Sequence, residues 1–420
     1  MIRRDITQAL FLSAAGAALV NKRAEAQTCT APCYVRTAAE IAASVTPVNT
    51  SYAPGNVLRY GTNTTPGPTD MTLAFQRAFN QQVYGGASVY VPTGSYLITA
   101  TVNTSSAAPF TMYGDGIGKT VITMTNDSDA FYVNNSGSAY NQITIHDLTL
   151  TTTQAMTTGC AFNLACGIIQ PSVTAYNVSI VTGGTNCFAN GFLLTNCSEC
   201  EFTRCFIKTG SQTACVAWSI ASSESAVVYK FVGCSVYNCG YGVYSSNSDR
   251  TAGIEGLQFY GCDFVGVKTG VFATSGIGDY APPQLTWIGG HINASGQSFN
   301  LNNISQVLIQ GLLSNNNGSS TEHIALTNVP SINISGNIFE QTGPGTAVHG
   351  VVIGASTALN AGIIANNMFN LSASSNAVYL LEAASTNNLT ILGNVRVGGA
   401  ATVAAVGTIT SSTIVANNSP

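Results

Sequence analysis

The sequence predicts an all-β chain wound into one right-handed parallel β-helix with a short N-terminal capping helix. Two observations carry this. An eight-residue pattern recurs eleven times through the last two-thirds of the chain. Charged residues make up only 8% of the 420 residues, against about 25% in an average soluble domain. Gly, Asn, Ser and Thr take their place beside abundant Val, Ile and Phe, a mixture that favours strands and turns over helices. A hydrophobic fraction of 45% and a net charge of −4 exclude a disordered chain. With 14 Lys plus Arg spread over the whole length there is no basic stripe for phosphates, so nucleic acid is excluded as a partner.

The repeat begins with ITIHDLTL (143–150), VTAYNVSI (173–180), CEFTRCFI (200–207), YKFVGCSV (229–236), LQFYGCDF (257–264) and LTWIGGHI (285–292). It continues with VLIQGLLS (307–314), INISGNIF (332–339), GIIANNMF (362–369), LTILGNVR (389–396) and STIVANNS (412–419). Its spacing of 22 to 30 residues is that of a solenoid coil. The third octet position is apolar throughout, from Ile145 through Phe231 and Trp287 to Ile414, as an inward strand position must be. The fifth is mostly Gly or Asn, which tolerate a left-handed bend between two short strands. The sixth reads Cys205, Cys234, Cys262, Gly290, Leu312, Asn337, Asn367, Asn394 and Asn417. Stacked Asn would pass hydrogen bonds along a buried ladder, and stacked Cys would fill the same slot as structural groups. A further short strand precedes each octet, as in GFLLTN (191–196) and GVYSSN (242–247).

Residues 1–27 read as a separate segment. Arg3-Arg4, an apolar run of about 15 residues and Ala24-Glu25-Ala26 suit a secretory signal, or else an anchor packed on a larger assembly. The run falls short of the roughly 20 residues that span a bilayer. Residues 28–56 follow as a linker, 57–140 as the cap and first coils, and 141–420 as the β-helix. In the cap, Asp70 or Thr69 would start a helix over 73–82, with Leu73, Ala74 or Phe75, Ala78 and Phe79 on its inner face. Two close cysteine pairs, Cys29 with Cys33 and Cys160 with Cys166, suit small disulfides.

Arg59-Tyr60-Gly61, the Asp70 helix start with Ala74 and Ala78, Val89-Tyr90-Val91-Pro92-x-Gly94-x-Tyr96, and Gly114-Asp115-Gly116 together resemble the pectate-lyase-like β-helix superfamily. That superfamily includes rhamnogalacturonase-type enzymes and many phage tailspikes, and the resemblance covers most of residues 55–420. Many relatives carry Asp-Asp-Thr at the helix start, where this chain keeps only Asp70. The GDGIGKT run (114–120) lacks the first glycine of a phosphate loop and reads as a turn.

Hydrolysis of a polysaccharide needs two facing carboxyl groups, and elimination needs a base with a cationic partner. Loops before successive octets carry the densest set: Glu224, then Asp249, Arg250 and Glu255, then Asp279 and Tyr280. Trp218 lies on the preceding strand. These form a candidate carbohydrate groove, in which Glu224, Asp249, Glu255 and Asp279 supply the catalytic acids, and Trp218, Arg250 and Tyr280 bind sugar. Solvated loop residues are the competing reading. Asp263 with His291 and Glu201 with Lys230 should be outward neighbours, most simply as surface ion pairs. Asp127-Ser-Asp129 reads as a turn rather than a calcium site, and His146, His323 and His349 show no partner in the sequence. Neither a metal nor a cofactor is expected.

The resemblance implies a tailspike or fibre-type adsorption protein of the virion, homotrimeric, recognising and in some members cleaving bacterial surface polysaccharide, with the N-terminus contacting other virion proteins. The signal-like N-terminus instead favours a secreted polysaccharide lyase or glycoside hydrolase. A non-catalytic structural β-helix is the third alternative.

Overall fold

The structure is a computed structural model. It describes residues 33–65, 67–105, 108–135, 142–166, 172–210, 215–221, 227–246, 254–275, 284–318, 322–343, 348–354, 361–372, 374–381, 388–398, 401–406, 414–416 and 418. The chain forms a right-handed parallel β-helix built from one 23-stranded and one 12-stranded sheet, every pairing between named strands being parallel. Each coil adds one strand to the small sheet and, in most coils, two to the large one, as in Asn190–Thr195, Cys200–Thr203 and Phe206–Lys208.

The octet columns explain this geometry. The third position forms one continuous inner row, in which Phe202, Phe231, Phe259, Trp287, Ile309, Ile334, Ile364 and Ile391 pair in succession. Its first aromatic rings stack at 5.3, 4.8 and 4.9 Å. The fifth position turns the chain: Asp147, Asn177, Arg204, Gly233, Gly261, Gly289, Gly311, Gly336, Asn366 and Gly393 all have φ between 50° and 69°. The sixth position carries the buried ladder. Asn337, Asn367 and Asn394 donate to the carbonyls of Ile309, Ile334 and Ile364 at 2.9–3.0 Å. Their own side-chain oxygens accept from the coil before, as Asn367 Oδ1 does from both nitrogens of Asn337. Cys205, Cys234 and Cys262 sit in the same slot and point their thiols at Ala175, Phe202 and Phe231 carbonyls at 3.3–3.5 Å. Cys and Asn are thus alternative donors to one backbone position.

The last coil departs from the expected register by one residue. Ile391 pairs with Val415, so Ile414 is not the inward residue and is 57% exposed. Asn418 supplies the next rung to Asn394, and Asn417 lies outside the described residues. Such a slip moves every side chain to the other face.

At the N-terminal end the helix α2 (Thr72–Val83) covers the first coil with Ala74, Phe75, Ala78 and Phe79 buried, while Leu73 faces solvent. Phe75 and Phe79 pack on Phe131 at 5.8 and 5.6 Å. The expected cap residue is displaced by one: Met71 is the N-cap, and Asp70 accepts from the Thr72 backbone and hydroxyl. The segment expected as a linker instead carries helix α1 (Ala38–Ala42), closed by a Thr37–Glu40 capping box. Glu40 forms a fully buried ion pair with Arg59 and accepts from the Tyr60 hydroxyl at 2.9 Å. Arg59 also donates to the carbonyls of Tyr34, Val35 and Tyr52. The Arg59-Tyr60 motif is therefore the hub that fastens the N-terminal segment to the solenoid.

Cys160 and Cys166 do not pair. They end the same seven-residue strand, which separates them by roughly 20 Å. Cys187 and Cys215, on successive coils, form a disulfide. Cys33 is also disulfide-bonded, while Cys29 lies outside the described residues, as does the segment 1–27. The turn expected at 114–120 is present between the strands Phe110–Gly114 and Thr120–Met124.

Candidate functional site

Of the residues expected to form a sugar groove, Glu224, Asp249, Arg250, Asp279 and Tyr280 lie outside the described residues. Glu255 lines a surface cavity of about 150 Å³ together with Gln258, Gln284 and Thr286. Trp218 lies in the core and not on the outer surface. It is fully buried, stacked between Phe192 and Phe264 and edge-on to Phe202 and Phe231. The strand Val216–Ala221 carries two consecutive buried residues, Ala217 and Trp218, at its second and third positions, which shifts the alternation and turns the ring inward. Ala217 belongs to a column of small residues, Gly191, Ala217, Gly242, Gly270 and Ser298, set by the register of the small sheet. A Cβ at Gly270 would meet the Ser298 carbonyl at 2.5 Å, so the column cannot carry bulk there.

Asp263 and His291 occupy paired positions as expected, yet among the described residues no ion pair joins them. Glu201 and Lys230 do form their exposed ion pair at 3.5 Å. Asp127 accepts from the backbones of Thr157, Thr158 and Gly159, and Asp129 from Cys160 and Asn163. Both carboxylates are thus spent on a loop clamp, and the Thr157 and Gly159 amides hold Asp127 far below the usual carboxylate range.

The structure assembles a different constellation on the outer face of the large sheet. The fourth octet position points outward, and in the first coils it brings Tyr90, Tyr113, His146 and Tyr176 into register. Their rings stack as one row, with centroids 5.1, 5.3 and 4.4 Å apart. Two carboxylates flank it. Asp115 accepts from the Tyr90 hydroxyl at 2.8 Å and from the Thr93 backbone and hydroxyl. Asp147, in the left-handed bend, sits 2.7 Å from His146 Nδ1 and accepts from Asn177 at 3.0 Å. Burial and then the Asp115 hydrogen bond push the Tyr90 hydroxyl up to about 12. Burial, followed by the charge of Asp147, raises Tyr176. In a neutral imidazole, donation of Nδ1–H to Asp147 would leave Nε2 as the acceptor. The row ends at Tyr176, whose partner on the next coil is Thr203.

None of these residues was selected from the sequence, where the fourth column was not read as a row. The signal was present: Tyr113, His146 and Tyr176 share one octet offset on three coils. His349 and His323 also have partners. His349 Nδ1 accepts from the Asn376 amide at 2.9 Å. His323, wholly buried in the small-residue column, bonds Ser314, which bonds Ser298, each at 2.7 Å.

The fold and its outer face define a parallel β-helix of the pectate-lyase type. Residues 55–268 match the family described as rhamnogalacturonase A/epimerase, pectate lyase-like, and the chain belongs to that family. Among solved structures it is similar to the Azotobacter vinelandii mannuronan C-5 epimerase AlgE6 A-module, at 15% identity and a TM-score of 0.55 over 87% of this chain and 99% of that one. The Streptococcus pneumoniae surface adhesin PfbA matches at 13% identity and a TM-score of 0.51, over 88% of this chain and 93% of that one. Pre-mature bacteriophage phi29 gene product 12 matches at 15% identity and a TM-score of 0.51, over 82% of this chain but 52% of that one. No curated protein matches significantly. Among the described residues no helix is long and apolar enough to cross a membrane.

Proposed function

We propose that this chain recognises a bacterial surface polysaccharide along the outer face of its large sheet, as a tailspike- or fibre-type adsorption protein. The observation that carries this reading is the row Tyr90–Tyr113–His146–Tyr176 with its flanking carboxylates. Amphipathic rings pair an apolar body with a polar tip, and a row that advances one strand spacing per coil suits an extended polymer. The sparse charge of the surface favours hydroxyl-rich ligands over ionic ones. Similarity to a phage protein and to a surface adhesin supports an extracellular or virion location, with side-by-side copies forming a homotrimer. The test is binding of the full chain to a panel of bacterial surface glycans, by affinity electrophoresis or calorimetry. Tyr113→Ala or Tyr176→Ala should weaken binding about tenfold, equivalent to about 1.4 kcal/mol. Unchanged binding in both variants would sink the site.

A second reading, a secreted polysaccharide lyase or glycoside hydrolase, is favoured by the 2.7 Å His146–Asp147 contact. An imidazole oriented by a carboxylate is a competent general base. Under that reading His146→Ala abolishes product formation while weakening glycan binding no more than Tyr113→Ala does, and Glu255→Gln tests the groove acid.

A further inference from the structure

We propose that Cys166 and Cys197 are joined as a disulfide in the mature protein, tying the coil that carries His146 to the coil that carries Tyr176. Cys166 ends the strand Cys160–Cys166, and Cys197 lies two residues beyond Asn190–Thr195. These strands pair with Ala165 opposite Thr195, which brings the two cysteines to the same corner of successive coils. Their sulfurs are 3.2 Å apart, about 1 Å beyond a bonded sulfur pair at about 2.05 Å. Both are buried, Cys166 at 4% exposure and Cys197 at 0%, so the bond would close as the coils stack. The next corner shows that the solenoid accommodates such a tie: Cys187 and Cys215 join adjoining coils across a Cα separation of 6.4 Å. The two disulfides would staple three successive coils.

The placement connects the bond to the outer face. Cys166 shares its coil with the strand Ile143–Thr152, which carries His146, and Cys197 shares its coil with Val173–Val181, which carries Tyr176. A covalent tie would hold together the two coils whose rings stand closest in the row, at 4.4 Å. In forming it the two thiols lose two protons and two electrons, the Sγ–Sγ bond forms, and a disulfide oxidant such as oxidised glutathione is cleaved to two thiols. The bond belongs to a chain matured where disulfides persist.

The competing partner is Cys200, three residues after Cys197. The full chain is refolded in excess oxidised glutathione, alkylated with N-ethylmaleimide in denaturant without reductant, digested and analysed by mass spectrometry. The expected result is a linked Cys166–Cys197 peptide pair, lighter by two hydrogens than the separate peptides, with Cys200 recovered alkylated. The Cys200→Ser variant should keep that pair. Recovery of Cys166 and Cys197 as alkylated thiols, while Cys187–Cys215 is recovered linked, overturns the proposal. A Cys197–Cys200 crosslink overturns it equally.

Discussion

Three buried ionisable side chains, Arg59, Glu40 and His323, shape how this chain responds to substitution and acid. Arg59 and Glu40 are both inaccessible, and the guanidinium also holds three backbone carbonyls. Removing one partner strands the other charge, so Arg59→Ala should cost about 3–5 kcal/mol, read as a fall in the urea midpoint. Burial pushes Glu40 up, but the bonds from Arg59, Thr37 and Tyr60 outweigh it and hold its carboxyl below the usual range. Its contribution is present above the unfolded pKa and is lost as pH falls through the folded one. His323 acts in the same direction. Burial lowers its pKa to about 3, so the folded chain keeps it neutral while the unfolded chain protonates near its ordinary value of about 6.5. Stability from neutral His323 is complete above about 6.5 and falls as pH drops towards 3. His323→Ala should therefore flatten the dependence of the thermal midpoint on pH between 6 and 4. An unchanged slope would show that the imidazole is not the titrating group.

At the scale of the coil, the buried ladder gives the sharpest contrast between residues in one slot. Asn367→Ala removes the acceptor for both Asn337 nitrogens and the donor to the Ile334 carbonyl. Leaving buried polar groups unpaired costs about 1–3 kcal/mol each. Cys234→Ala removes a weak thiol donor to the Phe202 and Val232 carbonyls and should cost about 1 kcal/mol. Denaturant titration of both variants checks the order, and equal losses would refute the ladder's role. The inner columns were legible in the sequence because the interior accepts few residue types, so Phe231, Gly233 and Asn367 announce their positions. The outer columns were not, because solvent tolerates almost any side chain, and Tyr113, His146 and Tyr176 become a row only when coils are aligned. Trp218 misled for a related reason. An aromatic ring suits a core as well as a sugar site, and the paired burial of Ala217 and Trp218 breaks the alternation that would have separated the two. Glu40 precedes the Arg59 it pairs with by 19 positions, a spacing that no local pattern links.

Across the whole molecule, the outer face of the large sheet changes chemistry from one end to the other. The early coils present Tyr113, His146, Asp147 and Tyr176. In the late coils the seventh octet position reads Leu313, Ile338, Met368 and Val395 in direct register. These residues are exposed by 38, 38, 36 and 44%, with Ile363 and Leu392 exposed beside them. An apolar column spanning four coils, roughly 14 Å long, marks an interaction surface better than scattered exposed side chains do. A second copy offers the same uncharged column, so the face suits packing of copies side by side. If copies pack through this face, the full chain should sediment as a trimer at micromolar concentration. The double substitution Ile338→Lys and Met368→Lys should then yield a folded monomer, because burying two lysines without partners costs more than the column contributes. Since the aromatic row lies several coils away, any glycan binding proposed for it should survive in that monomer, and only avidity should be lost. A wild-type chain that sediments as a monomer would separate the two ends of the sheet: the aromatic row could still bind sugar, but the apolar column would need a partner other than itself.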